Sequence, residues 1–88
     1  MANIAFTRII RVSERQLEFN FRKLPGDHQN FHADVTDHKG DRIQFSMYQD
    51  AHGNWHSTGN LLPLWIANEE KAIGEAIQEE ISLLAAQL

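Results

Sequence analysis

The stretch NEEKAIGEAIQEEISLLAAQL, residues 68–88, decides the fold, because it is the only long run in the chain with the periodicity of a helix. Asn68 is a suitable N-cap, and two glutamates follow it in the first turn, where the helix dipole favours carboxylates. Apolar side chains recur every three or four residues and share one side of the helix: Ile73, Ile77, Ile81, Leu84 and Leu88. The pattern predicts a helix over about residues 68–87 that packs this side onto a sheet.

The composition describes one small globular domain, and we expect residues 1–88 to form it. The chain has 88 residues, of which 42% are hydrophobic, and no cysteine, so disulfides and thiol chemistry are excluded. No basic-then-apolar leader is seen, and no apolar run reaches the roughly 18 residues of a membrane helix. The formal charge of −4 argues against nucleic acid as a partner. These features predict a cytoplasmic protein without membrane contact.

Five segments before the helix have the composition of strands. Leu17, Phe19 and Phe21 alternate with polar residues, as in a strand with one buried face, and similar alternation recurs along the chain. The predicted strands cover about residues 3–12, 16–23, 30–36, 42–49 and 54–58. Consecutive strands joined by short turns form an antiparallel meander.

The turn between the third and fourth strands fixes their register. Pairing Val35 with Ile43 keeps both residues on the core face and leaves a three-residue loop that ends at Gly40, in the left-handed bulge position. A two-residue turn would pair Val35 with Gln44 and mix the two faces of the sheet. The sequence therefore predicts the longer loop.

The same turn chemistry recurs in DAHG, residues 50–53. The equivalent register pairs Gln49 with Trp55 on the core face and Tyr48 with His56 on the other face. Residues 61–67 then form a short apolar crossing to the helix, in which Pro63 also suits the first turn of a short helix. The sum is an α+β fold: a four- to five-stranded antiparallel meander with one C-terminal helix packed across one face, in two layers.

Two charged residues fall at core positions of this arrangement. Arg8 lies on the inward face of the first strand, and Glu80 points within about 20° of the direction of Ile73, inside the apolar side of the helix. A buried unpaired charge costs several kcal/mol. We therefore predict a buried ion pair between Arg8 and Glu80.

The other face of the sheet gathers polar side chains. The predicted registers bring together five of them as a ligand-binding hypothesis: Asn20, His32, Ser46, Tyr48 and His56. This face has three possible fates: it is plain solvated surface, one half of a homodimer, or a shallow recognition site. The sequence leaves all three open.

No pattern of residues predicts catalysis, a metal or a cofactor. His52 and His56 are four apart, as are His28 and His32, but that spacing groups imidazoles on a helix and these segments are turns and strands. No glycine-rich phosphate loop or nucleophile–base arrangement is present. The sequence predicts no enzyme, no metal site and no cofactor.

The function expected is therefore that of a small non-enzymatic binding domain, homodimeric or part of a complex with another protein. Its first strand would form a long apolar edge, and small domains often gain burial by self-association. The alternative is a domain that binds a small ligand or a metal on the polar face around Tyr48, His56 and His32.

Overall fold

The computed structural model describes residues 4–26 and 29–86. The strands are β1 (Ala5–Val12), β2 (Arg15–Lys23), β3 (Asn30–Thr36), β4 (Arg42–Gln49) and β5 (Trp55–Thr58). The helices are α1 (Leu64–Asn68) and α2 (Glu70–Ala86). The predicted start of the first strand at residue 3 and the predicted helix end at residue 87 lie outside the described residues.

The strands form one open antiparallel sheet in the order β1-β2-β3-β4-β5. Each strand pairs with its neighbours in the chain, and β1 and β5 are the two edges. One face of the sheet, the inner face, packs against α2. This confirms the predicted two-layer α+β meander, with five strands among the described residues.

The core fills the space between the inner face and the helices. Alternate residues of the strands point inward, and α1 and α2 contribute isoleucines from above. The largest fully buried side chains are Phe19, Phe31, Val35, Met47, Ile66, Ile73 and Ile77. Since a buried side chain of this size contributes about 1.5–3 kcal/mol, this cluster holds the two layers together.

The β3–β4 turn has the predicted register. Val35 lies opposite Ile43, and the Asp37 N–H donates to the Asp41 carbonyl at 2.9 Å, which leaves three residues in the loop. Gly40 has φ of 88°, in the left-handed region where a side chain is disfavoured. The prediction of a three-residue loop with a glycine bulge is confirmed.

The β4–β5 turn repeats this geometry. Gln49 lies opposite Trp55, and the Asp50 N–H donates to the Asn54 carbonyl at 2.8 Å. Gly53 has φ of 86°. The first hairpin is tighter than predicted, because Val12 lies opposite Arg15 and only two residues remain between them.

The helical region differs from the prediction at its start. Asn68 does not cap α2 but ends the short helix α1, which begins after Pro63. The first hydrogen bond of α2 runs from the Ile73 N–H to the Glu69 carbonyl at 2.9 Å. The reason is tertiary: winding residues 64–68 into a helix brings Ile66 into the core, where it is completely buried. That burial outweighs the local capping preference of Asn68.

A close contact sets α2 against β5. A Cβ atom built on Gly74 would lie 2.5 Å from the Trp55 Cβ and 2.7 Å from its Cγ. Real Cβ atoms do not approach other carbons so closely, so the glycine allows the helix backbone to rest directly on the tryptophan. The cost of a glycine within a helix, about 1 kcal/mol, is offset by this packing.

We expect Gly74→Ala to destabilise the fold although alanine is the better helix former. The methyl group must push α2 off β5, and overpacking of this kind costs about 1–3 kcal/mol. Ser82→Ala, on the exposed side of the same helix, is the matched control and should change stability little. Urea unfolding of both variants measures the difference. Equal or greater stability of Gly74→Ala would contradict the contact.

Candidate functional site

All five residues of the predicted ligand-binding set lie on the outer face, which is the face of the sheet opposite α2. Their neighbours along each strand, such as Phe31, Phe45 and Met47, are buried in the core. The alternation therefore directs the set away from the helix: Asn20, His32, Ser46, Tyr48 and His56. The contacts that these five side chains make with one another decide what the outer face can bind.

Four of the five form two adjacent cross-strand pairs. His32 lies opposite Ser46, and Tyr48 lies opposite His56. The rings of Tyr48 and His56 have centroids 5.2 Å apart with 32° between their planes. Because Ser46 and Tyr48 are two residues apart on β4, the two pairs are neighbours on the same face.

Asn20 belongs to a separate hydrogen-bonded row. The Thr7 hydroxyl donates to Asn20 Oδ1 at 2.6 Å, and Asn20 Nδ2 donates to Asp34 Oδ1 at 3.0 Å. Arg42 Nη2 donates to Asp34 Oδ2 at 3.1 Å. Burial raises the pKa of Asp34, but the hydrogen bonds from Asn20 and Arg42 outweigh it, so its pKa lies below the usual value. This row is satisfied internally by side chains from four strands.

A shallow depression with a volume of about 270 Å³ lies along this row. Its lining combines basic and polar side chains around the single carboxylate of Asp34. The residues that line it are Asn20, Phe21, Arg22, His32, Asp34 and Arg42. Two of the predicted residues, Asn20 and His32, therefore share a concave surface.

His56 is held at the edge of the outer face by two carboxylates. Its Nε2 lies 2.8 Å from Asp50 Oδ2, and its Nδ1 lies 3.9 Å from Glu70 Oε1. Asp50 also accepts backbone hydrogen bonds from His52 and Asn54 within its turn. The contact with His56 is the main cause that lowers the pKa of Asp50 to about 2.

Glu70 fastens the start of α2 to the edge strand β5. Its Oε2 accepts hydrogen bonds from the Ser57 N–H and the Ser57 hydroxyl, both at 2.8 Å. The backbone hydrogen bond from Ser57 is the main cause that lowers the pKa of Glu70. Because the Ser57 hydroxyl donates to Glu70 rather than to His56, the histidine does not activate it as a nucleophile. The contacts of Asp50 and Glu70 around His56 hold β5 to the neighbouring turn and to the start of α2.

Arg8 and Glu80 lie together, but the pair is not buried. Arg8 Nη1 is 3.5 Å from Glu80 Oε1, and Nη2 is 3.6 Å from Glu79 Oε1. Arg8 Nη1 also donates to the Ala76 carbonyl at 3.5 Å. The side chains of Arg8 and Glu80 remain 28% and 24% exposed. The prediction of a buried pair is corrected because β1 is the sheet edge, where long side chains reach water.

The histidines form no metal centre in the part of the chain that the structure describes. Within residues 4–26 and 29–86, no three His, Asp or Glu side chains are grouped so that they could hold a metal ion. His28, one member of a predicted histidine pair, lies outside those residues. Across the same ranges no helix is long and apolar enough to cross a membrane.

Sequence reasoning missed the two carboxylates around His56. Asp50 was identified only as a turn residue, although its place at the end of β4 next to the Tyr48–His56 pair was an available signal. Glu70 gave no such signal, because its contact depends on where α2 crosses the sheet. That crossing is fixed by tertiary packing.

The chain matches no protein family, no curated protein and no solved structure.

The carboxylates of Asp50 and Glu70 predict a loss of stability in acid. Both have pKa values below their usual values of 3.8 and 4.5, and that of Asp50 is about 2. A lowered pKa stabilises the fold above the usual value, and this contribution disappears as pH falls through the folded value. We expect stability from urea unfolding to fall between about pH 4.5 and pH 2.

Variants identify the groups responsible for that loss. Asp50→Asn and Glu70→Gln should each lower stability at pH 7 and reduce the difference between pH 7 and pH 3. Glu75→Gln is the control, since the carboxylate of Glu75 lies on the exposed side of α2. An acid loss that is unchanged in Asp50→Asn and Glu70→Gln would contradict the assignment.

Proposed function

We propose that this chain is a small non-enzymatic interaction domain that acts as a homodimer through antiparallel pairing of β1 with β1 of a second copy. The observation that carries the proposal is that α2 continues to Ala86 after Glu79 and Glu80 contact the edge strand β1, and that Leu83 and Leu84 in this last part are exposed. The helix leaves a partly covered space next to an open strand edge.

On its side away from β2, strand β1 presents backbone hydrogen-bonding groups that no described strand pairs with. The Lys23 N–H donates to the Ile4 carbonyl at 2.9 Å, which marks a bonded pair at this end of the β1–β2 ladder. Bonded and non-bonded pairs alternate in an antiparallel ladder, so the even-numbered residues of β1 bond to β2. The odd-numbered residues turn their N–H and C=O groups to the open side: Ala5, Thr7, Ile9 and Arg11.

Helix α2 extends beyond this edge. It starts over β5, where Glu70 binds Ser57, and reaches β1 where Arg8 contacts Glu79 and Glu80. It then continues to Ala86. Six further residues span about 9 Å, which is nearly two strand spacings. The end of α2 is therefore positioned above the space next to β1.

The overhanging part of the helix directs an apolar side chain into this space. Leu84 follows Ile77 by seven residues and Ile73 by eleven, so it points within about 20° of both. Ile73 and Ile77 are completely buried, whereas Leu84 is 37% exposed and the adjacent Leu83 is 56% exposed. A strand added to β1 would lie under Leu84 and complete its burial.

A second copy of the chain fits both requirements at once. A twofold axis next to β1 pairs the two edges antiparallel and places each overhanging helix end over the junction. An inward charge on an edge strand commonly discourages pairing. Here Arg8 is already neutralised by Glu79 and Glu80, so its charge does not oppose a partner.

The chemistry of β1 selects a register for the pairing. Ile9 is an apolar residue of the outer face that is 65% exposed. Placing the axis at Ile9 sets it opposite its counterpart and pairs Arg8 with Ile10 of the second copy. An axis at Arg8 would place Arg8 directly opposite Arg8 of the second copy, and two like charges at this distance repel each other. We therefore place Ile9 at the axis.

A second candidate function is the binding of a small ligand on the outer face. The observation that favours it is that the side chains of His32, Ser46 and Tyr48 make no hydrogen bond with any described part of the chain. Side chains of this type at one place are able to bind a polar molecule. The two candidates use different surfaces and do not exclude each other.

Light scattering over a wide range of protein concentration tests the dimer. We expect the wild-type chain to have the mass of two chains and Ile9→Lys to have the mass of one, 10.1 kDa. A lysine at the axis brings two like charges together. Thr58→Lys, on the edge strand β5, is the matched control and should remain dimeric. A wild-type mass of one chain at every concentration would overturn the proposal.

Cysteine crosslinking tests the register, since the chain has no cysteine of its own. With the axis at Ile9, the two Cα atoms at this position lie about 5.5 Å apart, within the range of a disulfide. Ile9→Cys should form a disulfide-linked dimer under mild oxidation. Thr7→Cys should not, because its counterpart lies about 13 Å away along the strand. Crosslinking of Thr7→Cys alone would show a different axis.

A further inference from the structure

Three side chains that can donate hydrogen bonds lie side by side in one row of the outer face. Arg22 of β2 is opposite His32 of β3, and His32 is opposite Ser46 of β4. Directly opposite side chains of an antiparallel sheet have Cβ atoms about 5 Å apart. Thr58 of β5, opposite Ser46, extends the row. We call Arg22, His32 and Ser46 the donor row.

The donor row is not used by the rest of the described chain. None of its three side chains makes a hydrogen bond or an ion pair with residues 4–26 or 29–86. In the rows on either side, by contrast, Asn20 is bonded to Asp34 and His56 is bonded to Asp50. Donors that the described residues leave unpaired are available to an external acceptor.

The nearest carboxylate does not neutralise this row. Asp34 is next to His32 in the depression of 270 Å³, but its two oxygens are already bound by Asn20 and Arg42. The charge of Asp34 is matched by that of Arg42 at 3.1 Å. Among residues 4–26 and 29–86, no carboxylate forms an ion pair with the guanidinium of Arg22, which lines the depression of a chain whose net charge is −4.

We infer that the donor row binds a small anion, a carboxylate or phosphate group, held by the Arg22 guanidinium and hydrogen-bonded by His32 and Ser46. This inference rests on the second candidate function and names its ligand class. Arginine suits such a group because its planar fork donates two parallel hydrogen bonds. The face is open and solvated, so a single anionic group binds weakly and the remainder of a natural ligand adds affinity by contacts with Tyr48.

Nuclear magnetic resonance titration of the full chain tests the inference. Backbone amide shifts are followed with inorganic phosphate and, separately, with acetate, at constant ionic strength set by sodium chloride. We expect saturable shifts at Arg22, His32 and Ser46. Saturation with both probes identifies a carboxylate-sized site, and saturation with phosphate alone identifies a site that needs a phosphoryl group. Both outcomes support an anion site.

Variants separate a specific site from general charge attraction. Arg22→Gln and His32→Gln should each weaken binding by at least about fivefold. Arg11→Gln is the control, because Arg11 lies on the outer face of β1 outside the depression. Shifts that do not saturate, or that weaken equally in Arg11→Gln, would overturn the inference.

A neutral probe separates two possible failures: the outer face binds a ligand that is not an anion, or the outer face binds no ligand. The same titration is repeated with a mixture of uncharged nucleosides and sugars. Shifts at His32 and Ser46 with this mixture, but not with phosphate or acetate, would retain ligand binding on the outer face and overturn the anion. No saturable shift with any probe would overturn both.

Discussion

The contact between Gly74 and Trp55 determines where the rest of α2 lies. With the helix backbone resting on the tryptophan, and Glu70 bound to Ser57, the start of α2 is fixed over the edge strand β5. A helix of 17 residues is longer than the remaining width of the sheet, so its other end passes β1. The contact of α2 with β5 and the overhang of its other end at β1 are thus two results of one close approach. A different residue in place of Gly74 would shift both.

The sheet was predictable because its alternation admits one register. A slip of one residue between β3 and β4 would exchange the buried Val35 for a polar neighbour, so the pairing with Ile43 follows from the sequence. The start of the helix was not predictable in the same way. Asn68 is a good N-cap in isolation, but the need to bury Ile66 belongs to the assembled core, which no local pattern contains.

The sequence predicts which residues lie on the outer face, but it does not predict the contacts that they make. Alternation assigns His32, Tyr48 and His56 to it, yet the carboxylate of Glu70 reaches His56 around the edge of β5 only because of the helix path. The pairing of Arg8 with Glu80 followed from two misplaced charges that each needed a partner. Their exposure did not follow, since it depends on β1 having no further strand beside it among the described residues.

The order of elements along the chain has a consequence for folding. Every strand pairs with its neighbour in sequence, so the hairpins are local and each can form as soon as its two strands are available. The helix that covers the inner face comes after all five strands. All five strands are therefore synthesised before the helix that covers their phenylalanines, and until that helix packs on the sheet the apolar inner face is exposed and favours aggregation. The meander makes assembly fast, while the late helix makes its final step the one most exposed to aggregation.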